Sequence, residues 1–165
     1  MASHLAADIQ QKKRFTSLEQ EAFLLLQRTT SELTEIGDQV LKAAGLSGPQ
    51  YNVLRILRGA GASGLACGEI SDRMIKRDPD MTRLLDRMEK RGLVSRRRES
   101  ADRRVITARI TRAGLDLLAR LDSPVNATHR EQLGHLSKQK LRTLIEILDQ
   151  ARRRKTTTIS RKKND

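Results

Sequence analysis

Residues 96–104 read RRRESADRR, five arginines within nine positions, interrupted only by Glu99 and Asp102. Like charges so crowded repel one another unless an outside polyanion, nucleic acid or an anionic membrane surface, neutralises them. A second stretch, GAGASG at 59–64, satisfies the spacing G-x-G-x-x-G that lets a backbone approach a pyrophosphate. That reading needs a strand before the glycines, a helix after them and an acid about 20 residues on. YNVLRIL can be written as a strand, and Asp78 and Asp80 lie near the right distance. The rest of the chain offers no further parallel strands, so a loop between helices is expected here and a nucleotide-binding enzyme stands as the alternative. Metal or acid–base chemistry has little to work with. His129 and His135 are six apart and fall on different faces of a helix, His4 lies near the N-terminus, and Cys67 is the single cysteine. Neither a catalytic centre nor a metal or other cofactor is expected.

The bulk composition points the same way as the arginine run. Lys and Arg number 33 against 20 Asp and Glu, a formal net charge of +13 over 165 residues, so a polyanionic partner is indicated. Aromatic residues make up 2%, too few to stack unpaired bases, which favours duplex DNA over single strands. A lone cysteine fits a reducing compartment, and the N-terminus carries no apolar run of a signal peptide. With no stretch of about 18 apolar residues, a cytoplasmic protein without a membrane partner is expected.

The elements that would position these charges follow from periodicity. From Thr16 to Ala44, Leu18, Ala22, Leu25, Leu26, Leu33, Ile36 and Val40 recur at three- and four-residue steps, with Ser17 as cap and Gly45 as terminator. This helix is longer than a small core needs, a surplus suited to packing on another subunit. Ser47 caps a second helix with Pro49 in its first turn, ending at the glycines 59 and 61. A third helix is expected over about 68–76, with Ile70 and Met74 inward. A fourth follows to Arg91, with Asp78 as cap, Pro79 at its first position and Gly92 as terminator. The period then switches to two. LVSRRR (93–98) and VITARI (105–110) read as a hairpin with ESADRR at its tip. Thr111 caps a fifth helix that Pro124 would bend or interrupt, and Ser137 caps a sixth.

Two short helices joined by a polar turn, followed at once by a hairpin, form a helix-turn-helix with a wing. The second helix can then enter a major groove while the first braces it. Between 71 and 112 there are fourteen basic residues against seven acids, over half of the total surplus in about a quarter of the chain. DNA contacts are expected from Ser71, Arg73, Pro79, Asp80, Thr82, Arg83 and Arg87 around the second helix, and from Arg96, Arg98, Arg103 and Arg104 in the wing. Asp102 would pair with Arg104 and hold it towards a minor groove, an aiming role, since an exposed pair stabilises by only ~0–1 kcal/mol.

At LSGPQYNVLRIL, EISDRM, MTRLLDRMEKRGLVSR, DRR and ITRAG the chain resembles the multiple-antibiotic-resistance regulator (MarR) family of winged-helix transcription factors, over about residues 16–150. The resemblance implies a homodimer built by the long first helix and the last two helices. It also implies a repressor that a small, often phenolic ligand releases from DNA. Two positions depart from the family pattern: Ala66 stands where a Ser or Thr usually caps the third helix, and Pro124 falls within the fifth. Cys67, at the start of the third helix, could serve as a redox switch, but the family's peroxide sensors carry their reactive cysteine in the first helix, where this chain has none, so Cys67 is read as structural or incidental.

The expected architecture is therefore mainly α. It has an N-terminal tail (1–15), dimerisation helices (16–46 and 111–152), a winged helix-turn-helix (47–110) and a basic tail (153–165). The expected partners are a second copy of the chain, a pseudo-palindromic operator in double-stranded DNA, and a small aromatic effector. A non-specific architectural DNA binder is the rival reading.

Overall fold

The computed structural model describes residues 4–98 and 106–153. The chain divides into two units, residues 1–128 and 129–165.

In the first unit, Ser17 opens the long helix α2 (Leu18–Ala43) by accepting the Gln20 N–H at 3.2 Å. The helix ends in a Schellman turn: Leu46 N–H reaches Leu41 O and Gly45 N–H reaches Lys42 O, both at 2.9 Å, with Gly45 at φ +69°. A short helix α1 (Leu5–Asp8) precedes it, within the expected N-terminal tail, and buries Leu5 to 1% exposure. Ser47 and Gln50 exchange backbone and side-chain bonds in a capping box that starts α3 (Gly48–Ala60). Residues 51–57, which the nucleotide-binding alternative required as a strand, are helix, and that alternative falls. Gly59 belongs to the last turn of α3 and Gly61–Ser63 form a 3₁₀ turn. Gly64, at φ +69°, lies so close to the third strand that a Cβ would stand 2.5 Å from Ala108 O. Its glycine serves close packing.

A strand that periodicity gave no hint of, β1 (Leu65–Ala66), leads into α4 (Cys67–Arg73). Ala66 supplies no side-chain acceptor. Only the reciprocal half of a cap forms, from Ala66 N–H to Glu69 Oε2 at 2.8 Å. The helix stops at Arg73, three residues short of the expected end, because Met74 turns extended to bury its side chain. Asp80, not Asp78, caps α5 (Met81–Lys90) by accepting the Arg83 N–H at 3.1 Å. Asp78 accepts the Asp80 N–H at 2.9 Å instead, which leaves Pro79 outside the helix.

The wing is β2 (Val94–Arg98) and β3 (Ile106–Ile110), antiparallel from Val94 opposite Ile110 to Arg98 opposite Ile106. With β1 on the other side of β3, the sheet order is β1-β3-β2. Thr111 Oγ1 accepts the Gly114 N–H at 3.1 Å and starts α6 (Arg112–Leu133), which runs through Pro124 without a break. The core of this unit is Val53, Leu54 and Leu57 of α3, Ile70 of α4, Met81, Leu84, Leu85 and Met88 of α5, Val94 and Ala108 of the wing, and Leu117, Leu118 and Leu121 of α6. Fully burying one such side chain stabilises by about 1.5–3 kcal/mol, and this shared cluster ties the wing to the helix-turn-helix.

The second unit holds the end of α6 and helix α7 (Lys138–Arg152), capped by Ser137 through the Lys140 N–H at 3.3 Å. Its Ile145, Ile147 and Leu148 are 66%, 57% and 40% exposed.

Candidate nucleic-acid interface

Helix α5 buries Met81, Leu84, Leu85 and Met88, spaced as one stripe of a helix. Geometry then places Thr82, Arg83 and Arg87 on the exposed side, where the sequence analysis expected them. Asp80 has a local task. Its two oxygens hold the Arg83 N–H at 3.1 Å and the Arg83 Nε at 3.1 Å, so it caps the helix and steers that guanidinium. A carboxylate facing phosphate alone would be repelled, and the pairing with Arg83 offsets that charge locally. Ser71 is half-buried on α4, Arg73 is exposed at its end, and Pro79 is exposed in the turn.

Three exposed residues of the turn before α5, Ile75, Lys76 and Arg77, stand outside the set of expected DNA contacts. Ile75, 86% exposed, sits in the turn with its N–H held by Asn52 Oδ1 at 2.9 Å. The signal for it was its place one residue after Met74, off the inward stripe. Exposed Lys76 and Arg77 flank it, with Arg77 3.4 Å from Asp72.

In the wing, Arg97 and Arg98 are exposed at the open end of β2. Arg96 is different. Its Nη2 lies 2.5 Å from Asp86 Oδ1 and 2.8 Å from Glu89 Oε2, its Nε donates to Glu89 Oε2 at 2.9 Å, and its N–H donates to Glu89 Oε1 at 2.9 Å. Bonding to Glu89, then to Asp86, raises the Arg96 pKa above the usual guanidinium range. Arg96, one of the expected DNA contacts, is engaged by two carboxylates of α5 and braces the wing against that helix. Glu99, Asp102, Arg103 and Arg104 lie outside the described residues, so the expected Asp102–Arg104 pair does too.

Arg58 of α3 forms a bidentate pair with Asp122 of α6, at 2.8–3.1 Å. Through that bond Asp122 is held below the ordinary carboxylate range. Beside it, α2 and α6 enclose an open cleft of about 570 Å³, with Val40, Ala43, Ala44, Leu117, Leu121 and Pro124 as apolar walls and exposed Arg120 at the rim. Cys67 is partly buried and packs on the core. Among the described residues, no group of three or more His, Cys, Asp or Glu could hold a metal ion, and no helix is long and apolar enough to cross a membrane.

Comparison with known proteins agrees with this architecture. The chain is similar to the HTH-type transcriptional repressor IacR of Pseudomonas putida, 28% identical over 127 residues that make up 77% of this chain and 75% of IacR. It is similar in fold to BpsR of Bordetella bronchiseptica, whose DNA binding is regulated by 6-hydroxynicotinic acid (TM-score 0.76, 18% identity, 86% of this chain and 100% of that one). A MarR transcription factor from Planctomyces limnophilus is 44% identical, covering 83% of this chain and 99% of its own, with a TM-score of 0.65. The MarR family model itself matches residues 46–106, from the turn after α2 to the first residue of β3. Winged fold, exposed basic helix and this degree of identity together establish that the chain belongs to the MarR family of transcriptional regulators.

Proposed function

We propose that the protein is a homodimeric repressor that reads a pseudo-palindromic operator with α5 in two successive major grooves and is released by a small aromatic acid. The observation that carries this reading is the two-sided character of α5: an apolar stripe locked into the core, and Thr82, Arg83 and Arg87 presented together to solvent. Side chains on such a face reach base edges, while Arg97 and Arg98 reach backbone phosphate. Minor-groove contacts by Arg103 and Arg104 belong to the same reading and fall outside the described residues.

The pairing of two copies is supported by α2. Only Leu41 of its 26 residues is buried, whereas Leu18, Phe23, Leu25, Leu26 and Ile36 are 81%, 59%, 41%, 44% and 46% exposed. A helix about 39 Å long with so many bare apolar side chains fits a surface that a second copy covers. Two-fold symmetry then spaces the half-sites by one helical turn, about 34 Å.

The cleft between α2 and α6 suits the effector. Its walls are aliphatic, Arg120 offers a cation for a carboxylate, and its size lies within the ordinary range of ligand pockets. The regulation of BpsR by 6-hydroxynicotinic acid concerns a protein of the same fold, and supports a ligand of this chemistry. A ligand wedged between the two helices would change the separation of the reading heads.

Selection of sites from random duplex DNA tests the function. The expected product is two inverted half-sites with a fixed spacing. Arg83→Ala should relax preference at one base position per half-site, at a cost of about 1–3 kcal/mol. Equal affinity for selected and random duplex at physiological salt would leave the architectural binder as the answer.

A further inference from the structure

The C-terminal end of α5 is held unlike its N-terminal end. Both α2 and α5 finish in Schellman turns. That of α5 has Leu93 N–H on Met88 O at 3.0 Å and Gly92 N–H on Glu89 O at 2.8 Å, with Gly92 at φ +68°. The glycine carbonyl of each turn points out of its own helix and is taken by another element. Gly92 O accepts from Thr111 Oγ1 at 2.6 Å, at the start of α6. Gly45 O, at the end of α2, accepts from Arg91 Nη1 at 2.8 Å, and Arg91 also reaches Gln50 Oε1 of the α3 capping box at 3.4 Å. Thr111 N–H adds a bond to Leu93 O at 3.1 Å, and a Cβ on Gly114 would come within 2.4 Å of the same oxygen. Residues 91–93 are thus the corner where α2, α3 and α6 all meet the reading helix. Among the described residues, side-chain hydrogen bonds at its other end are local, from Asp78 and Asp80.

We infer that Arg91 is a positioning residue that clasps the end of α5 to the end of α2, making this corner the pivot about which the reading tip is set. The inference rests on the two-headed reading proposed above. The ten residues of α5 span about 15 Å, so a tilt of about 10° at the pivot moves the Thr82–Arg83 end by roughly 3 Å, close to one base-pair step. Arg91 is exposed and binds neutral acceptors, so the clasp adds little to global stability and acts chiefly on angle. Without it, each head should tolerate a wider range of half-site separations.

The test uses the operator selected by the wild-type chain, and copies with one base pair added or removed between the half-sites. Wild type should bind the altered copies about tenfold more weakly than the selected one, the cost of a single misplaced step. For Arg91→Gln that ratio should fall at least about threefold, with Arg91→Lys between the two and the slope of log affinity against log salt unchanged. An unchanged spacing ratio in Arg91→Gln overturns the inference. So does a salt slope reduced by about one with uniform loss across all copies, since Arg91 would then be a phosphate contact.

Amide exchange on the full chain gives an independent reading. Arg91→Gln should speed exchange of Gly45–Leu46 and Gly92–Leu93 about fivefold while leaving Val53–Leu57 protected. Equal exchange in both proteins refutes the clasp. If the wild type selects only single half-sites, the dimeric reading fails, and this exchange measurement alone decides the role of Arg91. Should Arg91→Gln not fold, Arg91→Lys carries both measurements.

Discussion

Arg96 gives the sharpest test of how the wing is held. Arg96→Ala removes three charge-assisted contacts at 2.5–2.9 Å and leaves Asp86 and Glu89 as neighbouring carboxylates without their cation. Buried bonds to charged groups contribute about 1.5–3 kcal/mol each, and fully exposed ion pairs about 0.2–1 kcal/mol. Arg96 is 23% exposed, but its partners are 42% and 37% exposed, so solvent screens much of the interaction. Glu89 also keeps its bond to the Arg96 N–H, which the substitution spares. A loss of about 1–2 kcal/mol in total is the reasonable sum. For a chain of this size that corresponds to a melting point lower by about 2–8 °C.

Calorimetry on wild type, Arg96→Ala, Glu89→Gln and the double variant isolates the pair, with an expected coupling of about 1 kcal/mol. DNA titration over a range of salt concentrations separates the two possible jobs of this arginine. A brace leaves the salt slope unchanged, whereas a phosphate contact lowers it by about one. A melting point within about 1 °C of wild type, with zero coupling, would refute the brace.

Two further outcomes follow from the packing. Gly114→Ala should destabilise by at least about 1–3 kcal/mol, because its Cβ would meet Leu93 O at 2.4 Å and Ile110 Cγ1 at 2.8 Å; a thermal melt unchanged from wild type would contradict that contact. Asp122→Asn should cost up to about 1 kcal/mol at neutral pH, a screened figure for a half-exposed pair. Because Arg58 depresses the folded-state pKa of Asp122, its stabilisation is present above the unfolded value and lost as pH falls through the folded one. The difference between the two proteins should therefore shrink below about pH 4, and a gap that persists into stronger acid would be evidence against the pair.

Much of this architecture was legible before any coordinates, because its boundaries are local chemistry. Ser17, Ser47, Thr111 and Ser137 all accept the backbone N–H that a cap should accept, and Gly45 and Gly92 end helices at positive φ. The inward stripe of α5 was equally readable, and with it the outward placement of Thr82, Arg83 and Arg87. What stayed hidden depends on tertiary partners. β1 is two residues long, too short for any period, and exists because β3 pairs with it. The buried pair Thr107 and Ala108 breaks the alternation expected of β3, since β1 covers one side of the strand end. Asp78 and Asp80 are equivalent as candidate caps until the turn places Asp80 where it can accept the N–H three residues on, that of Arg83. Pro124 deletes one helical bond, yet Leu117, Leu118 and Leu121 in the preceding turns are packed well enough to carry α6 through it. Arg96 looks like its neighbours Arg97 and Arg98 in the sequence. Only the return of β2 alongside α5 brings it to Asp86 and Glu89.

The bare leucines and phenylalanine along α2 have a consequence for dosage. If their burial waits on a second chain, the pool of two-headed molecules grows with the square of a scarce monomer. Occupancy of a paired site then rises steeply over a narrow interval of expression and collapses on dilution. A promoter governed by this protein would respond to its abundance as to a threshold, before any effector is present.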